Sequence, residues 1–185
     1  VVLGESGPTL AAAIRDGNVS ALSGSVFDWA ALVANGIELA QVTPDELLAS
    51  PANTLAMNAD LIEEKREAME GFFRAWSKGM YVGKVNPDAV EQMLRKNVPE
   101  EWEVEAAGMG LFQGVLPMNI STTERLGDLQ SDVWTNVQPR MLSSGAIEKM
   151  VDVSTFLNDT YIDAANDFDR AQVEADAAAW LAANQ

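Results

Sequence analysis

Over the first sixty residues the apolar positions come in short runs, and beyond them they form helical stripes. Val1–Leu3, closed by Gly4, predicts a short apolar strand, and Pro8 after Gly7 fixes a turn before the Ala-rich stretch Thr9–Asp16. Within that stretch Leu10, Ala13 and Ile14 fall at i, i+3 and i+4, the spacing of one helical face, and Gly17 ends the helix. "NVSALSGS" then predicts a second strand stopping at Gly24. Phe27–Ala34 predicts a second helix closed by Asn35-Gly36, and "IELAQV" a third strand. Strand and helix alternating in this way is the pattern of an α/β protein with a parallel sheet.

The stretch "TPDELLASPANT" carries two prolines and no period, which places a crossing between structural units there. "NTLAMN" predicts one more strand, and from Asp60 onward nearly everything is helical. Asp60 with Glu63 matches a capping box, and Met69, Phe72, Phe73, Trp76 and Met80 form one stripe that packs the helical half onto a sheet. Asn86-Pro87-Asp88 is a helix start with an N-cap and a proline at the first helical position. "EVEAAGMGLFQGVLP", with three glycines between apolar residues, predicts a loop with a short helix. Thr122 or Thr123 opens a long helix whose stripe is Leu126, Leu129, Val133, Val137 and Met141, kinked at Pro139 and capped by Gly145. Two last helices are expected near Ser154–Ala165 and Asp169–Ala183.

Charge narrows the partners. Twelve basic and 28 acidic residues give a formal net charge of −16, which repels nucleic acid and anionic membrane surfaces. The acidic residues are spread along the chain, as on a solvated surface. With no Cys there is neither a disulfide nor a thiolate metal site, and with no His the commonest general base and transition-metal ligand is missing. No metal and no cofactor is expected. No apolar run approaches the roughly 20 residues of a membrane helix.

In a parallel α/β sheet, ligands meet the carboxyl ends of the strands, where loops enter helices. Two such loops are present, Glu5-Ser6-Gly7-Pro8-Thr9 and Ser23-Gly24-Ser25-Val26-Phe27-Asp28. Their hydroxyls and glycine amides can donate to a ligand oxygen, helped by the following helix dipole. Glu5, Ser6, Thr9, Ser23, Ser25 and Phe27 are therefore the candidate ligand-binding residues, with Trp29 as a second apolar wall. The same Ser and Thr residues also serve as plain N-caps, and Glu5 and Asp28 as solvent-facing carboxylates.

The runs "PTLAAAIRDGNVSALSGSVFDWAALVANGIELAQV", "NTLAMNADLIEEKREAMEGFFRAWSKGM", "VNPDAVEQML" and "MLSSGAIEKMVDVSTFLNDTYIDAA", in that order, resemble the extracytoplasmic solute-binding proteins of ABC importers. The nearest branch carries nitrate, sulfonates, taurine and thiamine-precursor pyrimidines. The resemblance covers most of residues 8–165 and implies a type II periplasmic-binding-protein-like α/β fold with two lobes and a helix-rich end. Residues 1–43 would then be part of the second lobe, 44–58 a crossing segment and 59–185 the helical completion of the first lobe. It implies a small solute held in an interlobe cleft, a membrane permease as partner, a periplasmic location, and an amino-terminal half of the same protein, leader included, preceding Val1. It implies binding and not catalysis. Two alternatives stand beside it: an enzyme resembling the thiamine-pyrimidine synthases of the same fold, and a purely helical interaction domain built from residues 60–185.

Overall fold

The computed structural model describes residues 7–48, 50, 51 and 53–184. They form ten α-helices: α1 (Gly7–Arg15), α2 (Val26–Ala34), α3 (Asp45–Leu48), α4 (Leu61–Glu64), α5 (Arg66–Val85), α6 (Pro87–Asn97), α7 (Glu105–Val115), α8 (Ser131–Ser143), α9 (Ile162–Asn166) and α10 (Arg170–Ala183). Among the described residues there is no strand, so the expected α/β fold of the periplasmic-binding type is overturned in favour of an all-helical one. Two compact units are distinguished. Of the described residues, one gathers those within 7–42, 86–118 and 178–184, the other those within 43–85 and 119–177.

Three of the four expected strands fall on described residues, and each is irregular chain. A strand needs a neighbour to take its backbone N–H and C=O groups, and six-residue apolar runs do not supply one. "NVSALSGS" and "IELAQV" instead give up one apolar side chain each: Leu22 and Ile37 pack against the buried cluster of Leu10, Ala11 and Leu32 where α1 meets α2. Of the rest of those runs Val19 is half-buried and the other residues face outward, Val42 being 81% exposed. "NTLAMN" likewise leaves Leu55 and Met57 at the surface. The expected strand Val1–Leu3 lies outside the described residues.

Helix ends follow local chemistry. Gly17 has φ +73°, its N–H donates to Ile14 C=O (3.0 Å), and that of Asn18 donates to Ala13 C=O (2.9 Å). Gly36 repeats this with Val33 and Leu32, and Gly145 with Leu142 and Met141. Positive φ is reached most cheaply by glycine, so one residue type stops α1, α2 and α8 alike. At the start of α6, Asn86 Oδ1 accepts from the Ala89 N–H at 3.2 Å, with Pro87 following. The capping box expected of Asp60 does not form. Asp60 is already helical (φ −64°, ψ −22°), and it is Asn58 Oδ1 that accepts from the Asp60 N–H.

In the first unit α7 replaces the expected loop. Mid-helix glycine costs about 0.5–1 kcal/mol relative to alanine, yet Gly108, Gly110 and Gly114 all sit within α7. The reason is α2. A Cβ on Gly114 would overlap Val26 Cγ2, whereas one on Gly110 would make ordinary contact with Ala30, 3.6 Å from its O. Val26 and Ala30, one helical turn apart on α2, thus rest on Gly114 and Gly110, one turn apart on α7. Gly108 makes room in the same way for the Trp102 ring, over which the Arg95 guanidinium lies at 3.9 Å.

In the second unit the buried line of α5 is Ser77 and Tyr81, with half-buried Phe73. Phe73 stacks on Tyr161 (ring centres 5.3 Å apart), and the Tyr161 hydroxyl donates to Ile62 C=O at 2.5 Å. Phe72 and Trp76, expected inside, are 45% exposed. The long helix expected from Thr122 begins only at Ser131. Gly127 turns the chain at φ +75°, and the Asn166 side chain takes both backbone groups of Leu126, accepting from its N–H and donating to its C=O, each at 2.9 Å.

Candidate functional site

The described candidate residues lie in the first turns of α1 and α2 and in the connection before α2, without the sheet that was to aim them at a common hollow. Glu5 and Ser6 lie outside the described residues. Thr9 is exposed in the first turn of α1. Ser23 is exposed in the connection to α2. Ser25 is the N-cap of α2: its N–H and its hydroxyl both donate to Asp28 Oδ2, at 2.7 and 2.9 Å. The backbone donor, and then the hydroxyl, hold the Asp28 carboxyl below its ordinary pKa. The carboxylate folds back over Gly24, where a Cβ would come within 2.7 Å of Oδ2. Ser25 and Asp28 are thereby engaged with one another in capping. Phe27 is 62% exposed, and Trp29 and Val33 also face outward from α2.

A different cluster stands in the second unit. Glu124, Arg125, Asp163, Ala164, Asn166, Asp167 and Arg170 line a depression widely open to solvent. Its charges are matched. Arg125 Nη2 meets Asp163 Oδ1 at 2.7 Å, and Arg170 reaches both the Glu124 carboxylate (3.3 Å) and its backbone C=O (2.7 Å). Lys84 meets Glu124 at 3.4 Å, and Arg74 Nε donates to Ala164 C=O at 3.1 Å. Lys84 first, then Arg170, pulls the Glu124 carboxyl below its usual range. Beside the depression the Tyr81 hydroxyl donates to Glu174, which raises its pKa, while Arg170 lies over its ring at 5.2 Å.

Proton transfer near neutral pH calls for a carboxyl pushed up or a base poised near 7. Every resolved carboxyl shift among the described residues is downward. This cluster therefore acts as a fixed electrostatic brace between α5, the turn at Glu124–Arg125, and α9–α10. Sequence reasoning missed it because its partners lie 38 to 93 positions apart. No group of acidic residues among the described ones is arranged to hold a metal ion, and none of their helices is long and apolar enough to cross a membrane.

The apolar surface is the other distinctive feature. Eleven hydrophobic residues are buried among the described ones, and five of these are alanines. Nineteen large hydrophobic side chains are exposed, Phe27, Trp29, Phe72, Trp76 and Phe156 among them. No family model, no curated protein and no solved structure matches the chain.

Proposed function

We propose that the chain is a helical interaction module, whose work is to bind another polypeptide through apolar helix faces. The observation that carries this reading is the inversion just described, with more large apolar side chains outside than inside. Singly exposed apolar residues are ordinary, but aromatic residues grouped on helix faces are what protein contact surfaces are made of. The charge cluster supports binding over catalysis, since Glu124 is held ionised by Lys84 and Arg170 and Asp163 is paired with Arg125. Solute carriage, which the resemblance implies, relies on crossing strands and two sheets, and no described residue forms a strand.

The test is the mass of the particle that the chain forms when isolated under native conditions from its source. A complex of fixed stoichiometry with a polypeptide, a second copy included, is expected, together with a blue shift of the exposed tryptophans as they leave water. A chain that stays monomeric in its source and turns over a small molecule would overturn the reading.

A further inference from the structure

We propose that α5 is a self-association surface, on which a second copy of this chain docks antiparallel. The inference rests on the interaction-module reading and gives it a partner.

Two faces of α5 differ. Phe73, Ser77 and Tyr81, at i, i+4 and i+8, point into the second unit. On the opposite side Ala68, Phe72, Ala75, Trp76 and Gly79 recur at helical spacing, and all are exposed. The Phe72 and Trp76 rings stand 6.0 Å apart as a ridge. Nothing lies within 4 Å of where a Cβ on Gly71 or Gly79 would be. The face is therefore an aromatic ridge beside a smooth strip, the relief that ridge-in-groove packing needs. The same chain seats α2 on Gly110 and Gly114 of α7 in this way.

Charge selects the occupant. At −16 overall, two copies repel over most of their surfaces. Helix α5 carries four of the chain's 12 basic residues (Arg66, Arg74, Lys78, Lys84) against two acidic ones (Glu67, Glu70); Arg66, Arg74 and Lys84 are paired with Glu63 and Glu70, Asp167 and Glu124, which leaves Lys78 as the base on this helix that meets no carboxylate among the described residues. Both acids lie in the first half of α5, and Lys78 lies in its second. Glu67 and Lys78 flank the strip on one side, both exposed. A two-fold axis passing between Phe72 and Phe73 brings Glu67 of one copy level with Lys78 of the other, twice. A parallel pairing would set like charges together. Helix α5 thus complements itself in one orientation, as an isologous dimer requires.

The experiment uses the full 185-residue chain in sedimentation equilibrium. A concentration-dependent dimer is expected. Ala75→Glu should abolish it with helix content retained by circular dichroism. Glu67→Lys and Lys78→Glu should each weaken association about tenfold, and the double variant should recover most of that loss. These two surface changes keep the test usable if Ala75→Glu unfolds. Because the chain has no Cys, a mixture of Glu67→Cys and Lys78→Cys chains under mild oxidation reports orientation. Mixed disulfides support the antiparallel pairing, and predominance of 67–67 and 78–78 links overturns it. A recombinant chain that is monomeric throughout, or a dimer indifferent to all three charge variants, also overturns it. If that monomer still joins a different polypeptide in its source, only this pairing fails. If it is monomeric there as well, the interaction reading fails with it.

Discussion

The two principal helix seams of the molecule are built on opposite terms. In the first unit α2 meets α7 through the absence of side chains: Val26 and Ala30 come down on Gly114 and Gly110. In the second unit α5 meets α9 through side chains that reach across, with Phe73 on Tyr161 and Arg74 on Ala164 C=O, while the Tyr161 hydroxyl ties in α4 at Ile62 C=O. A glycine seam works by volume, and at Gly114 it has no room for an added atom against Val26. A seam of tethers tolerates small changes of shape but not a missing partner, because a buried polar group left alone keeps its desolvation penalty. The difference teaches where each unit is fragile.

The largest effect is expected from filling the first seam. Gly114→Leu should destabilise the first unit by about 3 kcal/mol through overpacking against Val26. Adding Val26→Ala should return a good part of it, since the two residues share one space. Chemical denaturation followed by circular dichroism reads both, and a neutral Gly114→Leu would show that volume does not set the seam. Next comes Asn166→Ala in the second unit, which strips Leu126 of both backbone partners and should cost about 2 kcal/mol. Hydrogen exchange should localise the loss around Leu126 and α9, with α2 and α7 unchanged. Tyr161→Phe keeps the stacked ring and removes only the hydroxyl donated to Ile62, for about 1 kcal/mol. An effect equal to that of Tyr161→Ala would mean that the hydroxyl's bond to α4, and not the ring's stack on Phe73 of α5, is what Tyr161 contributes.

The smallest effect is a response to acid that separates the units. Glu124 is held below its ordinary pKa by Lys84 and Arg170, and Asp28 by two hydrogen bonds from Ser25. A lowered folded pKa contributes stability that is present above the ordinary carboxylate range and fades as the pH falls through the lowered value. Both contributions are therefore intact at neutral pH and lost below about pH 4. In the second unit, protonation releases a brace between helices, so exchange should rise around Arg170 and Lys84 together. In the first it releases a cap within one helix, so only the start of α2 should fray. Simultaneous, uniform loosening of both units would contradict the distinction.

Helix punctuation was legible because its causes lie within three to five residues. Gly17, Gly36, Gly145 and Asn86-Pro87 each carry their own hydrogen-bond partners. Even there the reading failed where two local signals competed. Asp60 and Glu63 have capping-box spacing, but Asn58 stands two residues earlier and starts the turn. The candidate site was legible only as capping. Ser25 and Asp28 belong together as the sequence spacing suggests, yet they satisfy one another. The exposure of Phe72 and Trp76 was hidden because helical periodicity gives a stripe without saying which neighbouring stripe is covered. Ser77 beside them gives no hydrophobic signal, although it is buried.

By itself, then, the sequence determined where most helices begin and end, the acidic surface, and the lack of histidine and thiol chemistry, all of them properties of a residue and its near neighbours. Tertiary structure alone decided that Leu22 and Ile37 close a helix pair and do not enter a sheet, that three glycines make a helix at α7, and that α5 turns its aromatic ridge outward. The physical reason is common to all three. A backbone group or an apolar face is satisfied by whatever partner reaches it, and for this chain the deciding partners lie tens of residues away.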